Sequence, residues 1–323
     1  MQSFKATLCP RSAFGTKLIG DTLFGQLCWA IRNRFGDTQL TKLLDGYTRD
    51  KPFAVVSDAF PAGYVPLPKL PGFYYRQVDG AGDRKAVKKR VWLPVEALCK
   101  PLAEWLQCAA PTAAIAGTYP CAHPQDKYHA LSETHPQPHN SIDRRTGTTG
   151  EAFAPYSVQQ EWFIPGLRWD LYVLLDESRF SAEDCRRCLS DIGSFGFGRD
   201  ASIGLGKFDV EFFDLYALPA QESADACITL APCAPQGRGF DPERSFYQLF
   251  TRFGRHGDVA VHRQGKPFKN PVLLAQTGAV FRIEPPACGF IGQGIGGNGE
   301  LSKTLPETVQ QGYAPMVSIV FNS

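Results

Sequence analysis

A glycine-rich segment, residues 193–206, places the strongest constraint on how this chain can fold. Five glycines fall within its fourteen positions, directly after an amphipathic helical pattern and directly before an alternating, strand-like one. Glycine permits positive φ and close approach to the backbone, and successive N–H groups in such turns form anion-binding concavities. Arg199 and Lys207 add positive charge at the edges. The pattern predicts a phosphate- or RNA-binding loop between helix and strand, with a plain flexible turn as the alternative.

Length and composition narrow the class of protein. The chain has 323 residues, of which 43% are apolar, enough for roughly two globular domains with substantial cores. The 34 basic and 32 acidic residues leave a net charge of only +2, so a nucleic-acid partner must be argued from local clusters. No apolar stretch is long enough to cross a membrane. Ten cysteines, without a signal-peptide pattern in the opening residues, favour free thiols in a reducing cytoplasm.

The first elements are a strand within residues 1–14 and a helix over 22–35, whose apolar residues share one face. Residues 15–22 resemble a nucleotide-binding loop with Asp21 in place of its lysine, and a carboxylate there would repel phosphates. Asp21 is therefore interpreted as the N-cap of the helix.

The next elements complete a recognisable order. Strands at about 156–164 and 168–176, joined at Pro165-Gly166, indicate a hairpin. Ser181 with Asp184 resembles a cap for the helix that ends before the glycine-rich loop, and a strand follows over 207–215. The order β-α-β-β-α-β, interrupted by insertions, predicts an α+β, ferredoxin-like (RRM-like) unit with an antiparallel sheet.

A boundary is expected near residue 220, where the apolar pattern stops. This divides the chain into a domain over 1–220, with insertions at about 61–100 and 108–150, and a domain over 221–323. The second part contains strand-like runs and a second glycine-rich segment, 289–299, ahead of a final strand. That echo of the first loop predicts a degenerate second ferredoxin-like unit.

Two inserted segments carry candidate binding residues. Five basic residues occur within 84–90, which predicts a nucleic-acid contact or, alternatively, a solvated face. The segment 108–150 has little periodicity and holds four of the six histidines. Because it is too long for an ordinary connection, it is interpreted as a functional insertion or a partner-binding arm, and its end, 138–149, is densely polar and basic.

Two segments contain cysteines whose spacing suggests metal or redox chemistry, and neither supports it on closer inspection. Cys185 and Cys188 form a C-x-x-C pair, but they belong to the apolar stripe of a predicted helix and indicate core packing. Cys121 and His123 begin a possible zinc set, but the later histidines do not follow the paired spacing of structural sites. We expect neither a metal nor another cofactor.

Several short motifs, in a fixed order, resemble the RAMP superfamily of CRISPR proteins, and more narrowly the fourth Csm subunit of type III-A effector complexes. The resemblance spans residues 3 to about 320. The motifs are Ser12-Ala13-Phe14-Gly15, Gly20-Asp21-Thr22-Leu23-Phe24-Gly25, His139-Asn140-Ser141-Ile142-Asp143-Arg144, Gly196-Phe197-Gly198-Arg199-Asp200, Gly204-Leu205-Gly206-Lys207-Phe208 and Tyr313-Ala314-Pro315.

The resemblance implies a cytoplasmic, non-catalytic subunit with two ferredoxin-like halves. Members of this family hold the 5′ handle of the crRNA and contact both the large polymerase-like subunit and the first backbone subunit. The residues that this resemblance and the charge pattern together assign to RNA binding are Arg11, Ser12, Lys17, Lys88, Lys89, Arg90, His139, Asn140, Arg144, Arg145, Gly196, Gly198, Arg199, Ser202, Gly204, Gly206, Lys207, Gly292, Gly294, Gly296 and Gly297.

The chemistry of these residue types agrees with such a role. Loop amides and cationic side chains bind phosphates, and Phe195, Phe197 or Tyr156 are available for base stacking. Three alternatives remain open: a crRNA-processing endoribonuclease of the same superfamily with His139 and Arg144 in its active site, the equivalent subunit of a type III-B (Cmr) complex, and a scaffold whose glycine-rich loops are only turns.

Overall fold

The computed structural model describes residues 1–76, 84–121, 123, 125–149, 154–257, 267–284 and 288–321. Its α-helices are α1 (Gly20–Phe35), α2 (Asp37–Leu44), α3 (Arg84–Lys88), α4 (Trp105–Cys108), α5 (Thr112–Ala116) and α6 (Ala182–Phe195). Its strands are β1 (Gln2–Pro10), β2 (Ala54–Pro61), β3 (Tyr64–Pro66), β4 (Arg90–Pro94), β5 (Ala110–Pro111), β6 (Ser132–His139), β7 (Tyr156–Phe163), β8 (Trp169–Leu175), β9 (Phe208–Leu215), β10 (Ala226–Thr229), β11 (Asp241–Phe246), β12 (Leu249–Arg252), β13 (Val272–Ala275), β14 (Val280–Arg282), β15 (Phe290–Gly292), β16 (Ile295–Gly296), β17 (Val309–Gln310) and β18 (Tyr313–Ile319).

A four-stranded antiparallel sheet organises the N-terminal part, with strand order β2-β8-β1-β9. Together with α1 and α6 these strands follow the β-α-β-β-α-β order, so the predicted α+β class with antiparallel sheets is confirmed. Phe4, Ala6 and Leu8 alternate along β1 into the core beneath the two helices.

The hairpin predicted between residues 156 and 176 is wrong in its pairing, although both strands exist. β7 pairs with β6 in a separate two-stranded ribbon, while β8 enters the main sheet between β1 and β2. All but the first residue of β8 are buried, whereas only one residue of β7 is buried. A strand buried on both faces suits the centre of a covered sheet and not a two-stranded ribbon.

The start of α1 also differs from the prediction. Asp21 is not the N-cap, since it lies inside the first turn, and the N-cap position is Ile19 without a side-chain hydrogen bond. The Gly20 N–H donates instead to the carboxylate of Asp58, at 2.8 Å. A residue from a neighbouring strand therefore satisfies a donor at the helix terminus.

The start of α6 follows the prediction. The Asp184 N–H donates to Ser181 Oγ at 3.1 Å, which makes Ser181 the N-cap. Cys185 and Cys188 are fully buried in the core, and burial raises the pKa of the Cys188 thiol to about 12. The C-x-x-C pair is thus core packing, as expected.

The C-terminal part consists of strands around a second antiparallel sheet, with order β11-β14-β10-β18-β15. Within the residues described after 225, the structure contains no α-helix. This half departs further from the β-α-β-β-α-β order than the pattern predicted. Without crossover helices, which parallel neighbours require, its sheet is built from antiparallel pairs such as β10–β14 and β10–β18.

The two halves share one core. Phe290 and Tyr313 pack in the same cluster as the helices of the first half. Arg252 pairs with Asp21, its Nε 2.7 Å from Oδ2, and Thr277 Oγ1 donates to Asp58 at 2.5 Å. The division near residue 220 stays a prediction, and these contacts tie its two sides closely together.

The inserted segments form smaller units. β3, β4 and β5 make a three-stranded sheet beside a cluster that includes Trp105, and β6 with β7 makes the exposed ribbon. Among the described residues, no helix has the length and apolar character needed to traverse a bilayer.

Candidate nucleic-acid interface

The glycine-rich loop joins α6 to β9 and contains one short 3₁₀ turn, Ala201–Ile203. Gly196, Gly198, Gly204 and Gly206 all have positive φ, and so does Asp200, at 63°. The requirement for glycine is strongest at Gly206, with φ of 72°, because a Cβ there would overlap the backbone of Phe197. The glycines therefore serve a tightly folded loop and not a loose one.

Most of the loop amides are already used within the protein and are not left to form an anion-binding concavity. The N–H groups of residues 196, 197, 203, 204, 205 and 206 donate to backbone carbonyls. Those of Arg199 and Lys207 donate to the hydroxyls of Thr16 and Ser12, both at 2.9 Å. The backbone alone thus offers few donors to an anion, and a phosphate contact must come mainly from side chains.

The segment between β1 and α1 packs against this loop. The Arg11 N–H donates to the Lys207 carbonyl and the Gly206 N–H to the Ala13 carbonyl, each at 2.8 Å. The segment that carries Arg11, Ser12 and Lys17 is therefore brought beside the loop. We call this combined surface, residues 11–17 and 196–207, the glycine-loop surface.

Cations are distributed unequally over the glycine-loop surface. Lys17, Lys207 and Arg11 are exposed, but Arg11 forms an ion pair with Asp209, Nε to Oδ2 at 2.5 Å, which raises the pKa of its guanidinium. Arg199 is half exposed, lies 3.2 Å from Asp200 and donates through Nη2 to the Gln159 carbonyl at 2.6 Å. Lys17 and Lys207 are consequently the lysines best placed to meet a phosphate.

The β6–β7 ribbon starts at the edge of the glycine-loop surface. Phe14 and Glu161 exchange two backbone hydrogen bonds, of 2.8 and 2.9 Å, and Gln159 accepts from Arg199. Thr16 and Gln159 were not anticipated as site residues. Both act through contacts to distant segments, which no local sequence pattern signals.

The far end of the ribbon carries the second predicted motif. The His139 ring stacks on Tyr156, with centroids 5.2 Å apart, and its Nε2 is buried without a hydrogen-bond partner. Asn140, Arg144 and Arg145 are exposed beyond it, in a turn closed by the Asp143–Thr148 bridge. Tyr156 lies three residues along β7 from Gln159, about 10 Å from the glycine-loop surface.

The other predicted residues lie elsewhere. Lys88 and Lys89 are exposed at the junction of α3 and β4, whereas the Arg90 guanidinium donates to the carbonyls of Leu106, Gln107 and Ala109. The Arg90 guanidinium is thus hydrogen-bonded to the C-terminal end of α4. RNA contact by Lys88 and Lys89 stays a prediction.

The C-terminal glycines are explained by packing. Gly292 and Gly296 belong to the paired strands β15 and β16, and a Cβ at Gly294 would meet the Tyr47 backbone carbonyl at 2.5 Å. The Gly297 N–H donates to the Thr308 carbonyl at 2.8 Å. Within the described parts of the chain, no three His, Cys, Asp or Glu side chains are grouped as a metal site would require.

Comparison with known proteins gives matches in structure only. No protein-family model matches the chain, and no curated protein matches its sequence. A chain of the Csm3-Csm4 subcomplex in the type III-A CRISPR-Cas interference complex superimposes over 100% of both chains, with a TM-score of 0.61 and 13% identity. Chains of the Csm1-Csm4 cassette, in complex with pppApA and with AMPPNP, cover 99% of both chains, each with a TM-score of 0.57, at 16% and 17% identity. The chain shares the fold of these Csm subunits along its whole length.

Proposed function

We propose that this chain is the Csm4-type RAMP subunit of a type III-A CRISPR effector complex. In this role it holds the 5′ handle of the crRNA and joins the large polymerase-like subunit to the backbone subunits. The full-length likeness to chains from both a Csm1-Csm4 and a Csm3-Csm4 assembly supports this, since Csm4 is the component common to the two.

The observation that carries RNA binding is the glycine-loop surface. It brings Lys17 and Lys207, which are far apart in sequence, onto one surface with Arg199, next to a ribbon that ends in Arg144 and Arg145. Exposed cations on one surface suit the backbone of single-stranded RNA.

The arrangement favours binding over cleavage. A crRNA-processing nuclease needs a general base and a general acid within hydrogen-bond reach of the same phosphate. His139 is stacked on Tyr156, and the next histidine on its strand, His135, lies four residues away beside Glu133, about 13 Å along the strand. We therefore propose no catalytic role, and incubation with repeat RNA should give no cleavage that His139→Ala abolishes.

The test of RNA binding is a charge reversal at Lys207. This side chain is exposed and its backbone makes the loop contacts, so Lys207→Glu should leave the fold intact. We expect weaker binding of the full-length chain to handle RNA, with the dependence of log K on log salt reduced by about one phosphate contact.

A matched control is Lys42→Glu. Lys42 is exposed on α2, and its carbonyl accepts a hydrogen bond from Arg179, which lies just before the first turn of α6. The glycine-rich loop follows the last turn of α6, so the length of this helix, about 21 Å, separates the loop from Arg179. The affinity of the Lys42→Glu variant for handle RNA should equal that of the unmodified chain. Salt-independent binding, or equal loss in both variants, would contradict the proposal and favour the scaffold alternative.

A further inference from the structure

Two apolar side chains are exposed at the rim of the glycine-rich loop. Phe195, the last residue of α6, is 78% exposed, and Ile203, at the end of the 3₁₀ turn, is 61% exposed. Phe197 of the same loop is fully buried, so it is excluded as a stacking platform. Single exposed apolar residues are ordinary, but these two belong to the same loop.

Their proximity follows from the backbone. Gly196 touches both Ala201 and Leu205, since a Cβ at Gly196 would come within 3.0 Å of the Ala201 Cβ and would overlap the Leu205 carbonyl. Phe195 is one residue from this contact, and Ile203 is two residues from each of Ala201 and Leu205. The backbone segments that carry the two exposed side chains therefore lie next to each other in the loop, and we call this pair of residues the Phe195 shelf.

Cations border the Phe195 shelf. Lys207, two residues beyond Leu205, is exposed, and Arg199 in the intervening segment is half exposed. An apolar platform in the same loop as exposed positive charges fits a nucleotide, whose base stacks while its phosphates contact the cations. A protein surface would instead have to cover the exposed Lys207 at the margin of the apolar groups, and lysine is depleted in protein interfaces.

We propose that the Phe195 shelf is a subsite for one unpaired nucleobase of the bound RNA, with the Phe195 ring as the stacking platform and Ile203 beside it. This inference rests on the proposed function and adds a contact that the charge pattern does not contain. It assigns to Phe195 a part of the binding energy that does not depend on salt, since stacking releases no counterions.

The experiment measures the affinity of the full-length chain for handle RNA across a salt series, for the unmodified chain, Phe195→Ala and Phe195→Tyr. We expect Phe195→Ala to weaken binding about 5- to 150-fold with an unchanged salt slope, and Phe195→Tyr to restore the affinity. Lys207→Glu, in the same series, should change the slope. Phe253→Ala is the matched control, because Phe253 is 75% exposed in the other half and should bind like the unmodified chain.

A second arm identifies the base by using handle RNAs with one abasic nucleotide each. At the stacked position, Phe195→Ala should cause no further loss, whereas at the other positions it should cause the full loss. Unchanged affinity of Phe195→Ala, an equal loss on every abasic RNA, or a defect confined to partner-subunit binding would overturn the inference while leaving the proposed function intact. Failure of the unmodified chain to bind handle RNA would overturn both.

Discussion

Gly206 and Gly204 show how much the same residue type can differ within one loop. Both have positive φ, 72° and 101°. A Cβ at Gly206 would overlap the Phe197 backbone, whereas one at Gly204 would meet no atom within 4 Å. The glycine pattern correctly predicted unusual backbone conformations. It did not reveal that the amides are occupied, because their acceptors on Ser12 and Thr16 come from a segment more than 180 residues away.

At this scale we predict that Gly206→Ala destabilises the fold far more than Gly204→Ala. The left-handed conformation costs about 1–2 kcal/mol for alanine at either position, and only Gly206→Ala adds a collision with the backbone. Urea denaturation of the two variants measures the difference in the free energy of unfolding. Equal losses would show that the loop relaxes freely and that close packing does not set its shape.

Among the elements, periodicity predicted α1 and α6 well because each has one buried face. It also located β1 and β9, although β9 is mostly exposed. It failed on strand partners, since alternation specifies which side of a strand is buried and not which strand lies next to it. The buried run in β8 was the available signal for a central strand. The absence of helices in the described C-terminal residues had no comparable signal, because short apolar runs are ambiguous between helix and strand.

For α6 the cap provides a direct prediction. Ser181→Ala removes the acceptor of the Asp184 N–H and should lower the free energy of unfolding by about 1 kcal/mol. Ser194→Ala, at an exposed position in the last turn, should change it by less than about 0.5 kcal/mol. Thermal or urea unfolding of both variants measures these changes. An unchanged free energy of unfolding in Ser181→Ala would show that the cap does not stabilise this helix.

Across the whole molecule, the joint between the halves is polar at its centre. Asp58 accepts from Gly20 of the first half and from Thr277 of the second, with Asp21 and Arg252 beside it. The residue keeps some exposure, but burial of its carboxyl group raises the pKa from 3.8 to about 7. No local pattern along the chain signals this joint, because its members come from four separate segments.

The raised pKa of Asp58 predicts a pH dependence of stability. Between pH 4 and 7 the folded chain binds more protons at Asp58 than the unfolded chain, so this group makes the free energy of unfolding fall as pH rises. Asp58→Asn is neutral throughout and should reduce that decline, by at most about 1.4 kcal/mol per pH unit. Urea denaturation at pH 5, 6, 7 and 8 measures both slopes. Identical slopes would mean that Asp58 titrates normally in the folded protein.

The side chain of Gln311 covers the free edge of β2, since the Val56 N–H donates to Oε1 at 2.8 Å and Nε2 donates to the Val56 carbonyl at 2.7 Å. The two residues are 255 positions apart. On the ribosome, β2 therefore waits for its cover for roughly 10 to 50 seconds, at about 5–20 residues per second. Once β8 has joined β2, which is possible 136 residues before Gln311 (311 − 175), the nascent chain presents an uncovered sheet edge that can pair with another polypeptide. Expression yield should accordingly depend on chaperone supply more than the stability of the finished protein would suggest.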